Sequence, residues 1–261
     1  MQASQRSSKM RLVSWNCNGA LRKKHQLVDE LNADILIIQE CENPKESTES
    51  YREWAGEHLW TGKSKHKGIG VFSKHNHTLS HCKWDGEYNV EGLSPGHPAL
   101  RWKTSDLELF LPCESNNGIT LLAVWTRLAG SSIFGYIGQF WKYLQIHRQD
   151  ISASKCIIIG DLNSNSTWDK PDRWWNHSDV VNELRNIGME SLYHFQHKEE
   201  HGIESLPTFF MHRNTERPYH IDYTFMPNDL LNQSIVKIGS KTEWLSLSDH
   251  LPLIIDINIL D

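Results

Sequence analysis

The feature that most limits what this chain can become is a series of short apolar runs, most of which stop on polar residues. "MRLVSW" (10–15), "ADILIIQE" (33–40), "GIGVFS" (68–73), "LELFLP" (107–112) and "ITLLAVW" (119–125) belong to it, as do "KCIIIGD" (155–161), "PTFFMHR" (207–213), "YHIDYTFM" (219–226), "SIVKIG" (234–239) and "PLIIDINIL" (252–260). They are strand-length and rich in β-branched and aromatic residues, and several are apolar on both faces, as strands covered on both sides must be. Helical periodicity occurs in only a few places. "ALRKKHQLVDELNA" (20–33) puts Leu27, Val28 and Leu31 on one face, and "SSIFGYIGQFWKYLQIH" (131–147) does so with Ile133, Ile137, Phe140 and Leu144. "SDVVNELRNIG" opens with Ser178 as N-cap and Asp179 in the positive first turn, and closes on Gly188. "CESNNGIT" reads as a hairpin turn with positive φ at Asn117 and Gly118. Ten strand candidates with three helices predict an α/β sandwich of two packed sheets with helices on the outer faces.

No linker, repeat or low-complexity tract divides the 261 residues, which suffice for one large core. The expected organisation is a disordered polar tail over 1–9 and a single domain over 10–261. "MQASQRSSKM" lacks the apolar stretch of a signal peptide, and no run is long enough for a membrane span. The five cysteines are scattered and odd in number, which fits a reducing cytoplasm; Cys17 and Cys156 read as small buried hydrophobes. A net charge of −5 argues against a global basic field, although an enzyme that meets phosphate through a metal does not need one. Some of the eleven tryptophans must lie outside the core, where they suit base stacking.

The strand ends carry the chemistry. "VSWNCNG" runs into Asn16 and Asn18, "DILIIQE" into Gln39 and Glu40, "LLAVWTR" into Trp125 and Arg127, and "KCIIIGDLN" into Asp161 and Asn163. Asp222 lies inside "YHIDYTF", and Asp249 and His250 precede the last apolar run. Each alone is most simply a turn or a solvated end; together they are what a rigid scaffold needs to converge side chains on one cleft. Phosphodiester hydrolysis needs a hard cation, a water held in line by a base, and neutralised phosphoryl charge. Glu40 offers a carboxylate to the cation, and the asparagines add neutral donors and acceptors, a set suiting Mg²⁺ or Mn²⁺ better than zinc.

The ordered set "WNCNG", "QE", "GDLN", "IDY" and "SDH", spread from Ser14 to Leu253, resembles the endonuclease/exonuclease/phosphatase superfamily of exonuclease III, the apurinic/apyrimidinic endonucleases and deoxyribonuclease I. The resemblance implies a four-layer α/β sandwich with two mainly antiparallel sheets flanked by helices, and a Mg²⁺-dependent nuclease, with DNA rather than RNA as partner. It implies that Glu40 holds the metal, with Asn18 and Asp249 supporting it directly or through water. Asp161 then aligns or deprotonates the attacking water and Asn163 orients it. His250 contacts a phosphate oxygen, Asp222 fixes its ring, and Asn16 holds the network.

Trp125 departs from the pattern, since the exonuclease III branch has tyrosine and the deoxyribonuclease I branch histidine there; an indole cannot ionise. Arg127 is a candidate phosphate ligand that could compensate. Phe209, Phe210 and Tyr219 resemble the aromatic pocket of the repair members, although alternation buries one phenylalanine in any case. Lys63, Lys65 and Lys67 offer a phosphate rail, and His220 adjoins the cleft motif. Two alternatives stay open: a small phosphate ester, such as an inositol phosphate or sphingomyelin-like headgroup, as substrate, and an inactive binding module motivated by Trp125.

Overall fold

The computed structural model describes residues 7–75, 77–90, 101–128 and 133–260. The strands are β1 (Ser7–Asn16), β2 (Ile35–Cys41), β3 (His58–Ser64), β4 (Lys67–Ser73), β5 (Leu79–His81), β6 (Glu87–Asn89), β7 (Arg101–Lys103) and β8 (Phe110–Ser115). They continue with β9 (Thr120–Trp125), β10 (Ile157–Asp161), β11 (Met189–Ser191), β12 (Phe209–Phe210), β13 (Pro218–Tyr219), β14 (Asp222–Pro227), β15 (Ser234–Ile238) and β16 (Leu253–Leu260). The α-helices are α1 (His25–Asp29), α2 (Glu49–Ala55), α3 (Ile137–Ala153), α4 (His177–Asn186), α5 (Leu192–His197), α6 (Asn228–Leu231) and α7 (Lys241–Trp244).

Two six-stranded sheets dominate, in the orders β15-β16-β1-β2-β4-β3 and β11-β14-β10-β9-β8-β5. Each is antiparallel except for one central parallel pair, β1 with β2 and β9 with β10. Alternation explains why these strands read as apolar throughout. On β1 and β2, Leu12, Ile35 and Ile37 face the core between the sheets, whereas Val13, Trp15, Leu36 and Ile38 face outward against Val28, Tyr51 and Trp244. On β9 and β10, Leu121, Ala123, Ile157 and Ile159 face the same inner core, while Leu122, Val124 and Ile158 meet Phe140 and Leu144 of α3 and Val180 of α4. Both faces of both sheets are therefore covered, and the four-layer sandwich follows.

Several local expectations change. The first strand starts at Ser7, where it pairs with Leu260, three residues before the expected domain start; residues 1–6 lie outside the described residues. The helix expected over 20–33 is a 3₁₀ turn (Leu21–Lys23) followed by the five-residue α1, and Leu27 is exposed while Val28 is buried. α4 starts two residues early: Asn176, not Ser178, is its N-cap, and the Asp179 side chain closes a capping box on the Asn176 amide at 2.7 Å. Ile133 precedes α3 and is exposed. In the β8–β9 turn only Gly118 takes a positive φ, 78°. The two cysteines singled out are fully buried, and burial pushes the Cys17 thiol up to about 12.

Candidate active site

The central parallel pairs of the two sheets end on one rim. Asn16 closes β1 and is in register with Gln39 of β2; Asp161 closes β10 and is in register with Trp125 of β9. Gly160 permits this approach: its φ is 148°, and a Cβ there would sit 1.9 Å from the Val124 carbonyl oxygen. Across the gap between the sheets, Asn16 Nδ2 donates to Asp161 Oδ2 at 2.9 Å.

Asp161 is fully buried and held on both oxygens. Oδ1 accepts from the Asn163 amide at 2.7 Å, and Oδ2 accepts from Asn163 Nδ2 at 2.9 Å as well as from Asn16. Burial raises the carboxyl and the Asp222 charge adds to it; His250 and the amide donors pull the other way, leaving it at about 7. Asp222 stands directly opposite on β14, in register with Asp161. Two facing carboxylates repel, and the imidazole of His250 relieves that. Its Nδ1 lies 3.0 and 3.2 Å from the two oxygens of Asp222, an acceptor-only partner, so Nδ1 carries a proton. Its Nε2 lies 4.0 Å from Asp161 Oδ2, too far for a hydrogen bond. Burial alone pulls His250 down, but the charges of Asp222 and Asp161 and the bond to Asp222 outweigh it and raise it to about 9.

Glu40 reaches the rim by an irregularity. Gln39 pairs with Ile69 and Cys41 with Gly68, so Glu40 is the extra residue of a β-bulge, with φ 61°. Its Oε1 is 3.4 Å from Asn16 Nδ2, and its Oε2 forms an ion pair with the Lys67 ammonium. Asn18 (φ 51°) is exposed and is tied to the set through its amide, which donates to Asn16 Oδ1 at 3.0 Å. Asp249 joins through Ser248, whose hydroxyl is 3.4 Å from Asp249 Oδ1. Among the described residues, Glu40 and Asp249 are in no tight three-ligand group; the tight group here is Asp161, Asp222 and His250. The donors around Glu40 nevertheless fit a hard divalent ion. They are oxygens, the carboxylate is partly exposed, and an ammonium already lies against it as a cation would.

The family model for the Endonuclease/Exonuclease/phosphatase family matches residues 13–250. The chain belongs to this family. The architecture recurs in a 3′-5′ exonuclease (NExo) from Neisseria meningitidis, with a TM-score of 0.67 at 16% identity over 96% of this chain and 100% of that one. A structure of the 3′ phosphatase NExo from Neisseria bound to a product DNA hairpin gives 0.68 at 17%, over 97% and 99%. An AP endonuclease from Archaeoglobus fulgidus gives 0.63 at 16%, again over 97% and 99%. These identities show a shared fold. No curated protein matches the chain significantly by sequence.

The remaining candidates occupy different places in this Endonuclease/Exonuclease/phosphatase fold. The side chain of Trp125 points into the core between the sheets and is 5% exposed, so the departure at this position is absorbed by packing. Arg127 lies over its ring at 5.9 Å and faces Glu108 at 3.6 Å. Phe209 stacks obliquely beside His250, with centroids 4.6 Å apart; Tyr219 follows at 6.3 Å, while Phe210 is buried. Lys63 and Lys67 are ion-paired to Glu108 and Glu40, whereas the exposed Lys65 has no carboxylate partner among the described residues. His220 does not join the His250 group. Its Nδ1 meets the Leu206 carbonyl at 2.7 Å, within a separate histidine cluster.

Two positioning residues escaped sequence reasoning. Ser248 Oγ donates to the Asn16 carbonyl at 2.7 Å and accepts from the His250 amide at 3.1 Å, joining the end of β1 to the segment before β16 at the site. Thr208 Oγ1 accepts from the amides of both Ile221 and Asp222 at 3.1 Å. The Ser-x-His spacing of a hydroxyl turn was the available signal for Ser248; nothing distinguishes Thr208 from an ordinary strand threonine. Trp168, 43% exposed and 5.2 Å from the Tyr219 ring, extends the aromatic ledge.

Proposed function

We propose that this protein is a Mg²⁺-dependent phosphodiesterase acting on nucleic acid, DNA in preference to RNA, by in-line attack of water. The observation that carries this reading is the buried Asp161–His250–Asp222 group, bonded through Asn16 to the Glu40 side of the rim. Asp161, raised toward neutrality and fixed by Asn16 and Asn163, takes the proton of the attacking water. His250, kept protonated by Asp222, donates from Nε2 to a phosphoryl oxygen as charge builds there. Glu40 would hold Mg²⁺ or Mn²⁺, with Asn18 and Asp249 adding oxygens directly or through water. When bound, the ion supplies Lewis-acid neutralisation of phosphoryl charge.

A nucleic-acid substrate is favoured by the aromatic ledge of Phe209, Tyr219 and Trp168 beside His250, which suits an unstacked sugar or base, and DNA by the DNA hairpin held by the Neisseria phosphatase. Arg127 and Lys65 are candidates for the phosphate backbone. The cysteines of the described structure are free thiols, and we place the enzyme, as one domain that includes the strand from Ser7, in the reducing cytoplasm. Among the described residues no helix is long and apolar enough to cross a membrane.

A second reading, a small phosphate ester as substrate, is favoured by the net charge of −5 and by the pairing of Lys63 and Lys67 with carboxylates. A panel of end-labelled DNA, RNA and small phosphate esters, each with Mg²⁺ and with EDTA, separates the two. EDTA-sensitive cleavage of DNA supports the first reading; turnover confined to the small esters supports the second. No turnover of any substrate defeats both.

A further inference from the structure

Four histidines and one glutamate gather beneath the loop that follows Asp161: the buried His177 at the start of α4, His194 in α5 and His220 just before β14, with the half-buried His201 and Glu204 on the loop after α5. His194 Nε2 lies 3.2 Å from Glu204 Oε1, and the two side chains are only 4% and 3% exposed. A nitrogen of His194, a nitrogen of His201 and an oxygen of Glu204 all lie within 4.8 Å of one another.

Each of these three side chains is held from behind. Ser191 Oγ is 2.7 Å from His194 Nδ1, and His177 Nε2 is 3.0 Å from His201 Nδ1. Asn165 Nδ2 donates to Glu204 Oε2 at 3.0 Å, and the Gly202 amide to Oε1 at 3.1 Å. Metal-binding imidazoles are oriented in this way, one ring nitrogen anchored and the other turned to the ion. His201 Nε2 is buried and has no hydrogen-bond partner among the described residues; the same holds for His220 Nε2. A His194–Glu204 ion pair on its own would account for the carboxylate and leave those nitrogens unexplained. The 3.2 Å spacing is also close to the edge, about 3.3 Å, of a tetrahedron whose ligands sit about 2.05 Å from its centre. The His194 and His201 rings stack at 3.5 Å and 14°, so binding one ion requires the His201 ring to turn away from His194. A surface cavity of about 400 Å³, bordered by Ser178, Asn182, Arg185 and His201, gives a path of entry.

The geometry points to a second metal site at His194, His201 and Glu204, separate from the phosphoryl site and taking one zinc-like transition ion. Two imidazoles and a carboxylate suit zinc and disfavour magnesium, and three protein ligands leave a position for water. Through Glu204 the ion fixes Asn165, four residues beyond Asp161, whose amide also donates to the His220 carbonyl at 3.0 Å. Its role is thus to pin the loop that carries Asn163.

The test uses the full chain bearing Glu40→Gln, which removes the carboxylate proposed for Mg²⁺, stripped with EDTA and supplied with Zn²⁺ alone. One zinc per chain should survive gel filtration. Tm should rise by about 5–10 °C at a hundredfold excess over Kd, and the ring nitrogens of His194 and His201 should shift in ¹H–¹⁵N spectra. Adding His201→Gln or Glu204→Gln should remove the tight zinc and the Tm rise. Failure of the folded Glu40→Gln protein to bind zinc, retention of zinc in either added variant, or shifts at other histidines alone overturns the proposal. If both added variants unfold, the histidine spectra decide.

Discussion

The amide of Asn16 and the carboxylate of Asp161, 145 residues apart in the chain, are joined by a 2.9 Å hydrogen bond that crosses from one sheet of the sandwich to the other. It makes the distance between the two rims part of the site. Replacing Asn16 by alanine deletes a hydrogen bond to a carboxylate, a contribution of about 1.5–3 kcal/mol. Asn16→Ala should lower cleavage by roughly 10- to 100-fold and reduce unfolding free energy by about 1–2 kcal/mol. Steady-state rates and urea melts check both, and an unchanged rate would remove Asn16 from the network.

Asp161→Asn and His250→Ala should each lose roughly 10³-fold or more in rate while keeping wild-type circular dichroism. Relief of the repulsion between Asp161 and Asp222 makes Asp161→Asn the more stable of the two. Near-normal turnover by either variant contradicts the roles given to these residues.

Activity should be bell-shaped in pH. Asp161 works deprotonated and is raised to about 7, so the rate climbs as pH passes upward through that value. His250 works protonated and is raised to about 9, so the rate falls above it. Asp222→Asn removes the leading cause that raises His250 and should move the alkaline limb to lower pH. A kcat/KM profile for both proteins tests this, and an alkaline limb that stays in place counts against His250 as the proton donor.

Glu40 has a φ of 61°, a conformation that costs a non-glycine residue about 1 kcal/mol. Glu40→Gly should therefore hold or raise Tm while abolishing metal-dependent turnover. A variant that melts well below wild type would mean that the carboxylate, through Lys67, is structural.

Gly160→Ala should destabilise the fold by roughly 2–4 kcal/mol, because the new methyl group meets the Val124 carbonyl oxygen at 1.9 Å. A thermal melt within a degree of wild type would show that β9 can move aside.

How much of this was legible in the sequence depended on the range of the interactions. The strands were readable because each face of Ile35–Ile38 and of Ile157–Ile159 is buried against a different layer, which leaves an unbroken apolar run. The rim residues were readable because such runs end abruptly at Asn16, Glu40 and Asp161. The bulge that turns Glu40 inward was not, since a one-residue slip of register leaves composition unchanged. Helix starts were misplaced where two residues compete to cap, as Asn176 and Ser178 do, and the outcome is decided by reach to Asp179. The histidine cluster spans His177 to His220 with no local spacing motif. Only the packing of α4 and α5 against β14 brings it together.

The pairing of Ser7–Ser14 with Leu253–Leu260 has a consequence for how activity arises. The N-terminal strand gains one of its two neighbours only when the last strand arrives, and the same event brings Ser248 and His250 up to Asn16. Contacts so distant along the chain form late and slowly. A nascent polypeptide that has reached only as far as Asp161 thus has Glu40 and Asp161 but lacks His250, so the rim cluster is complete only once β16 has paired with β1.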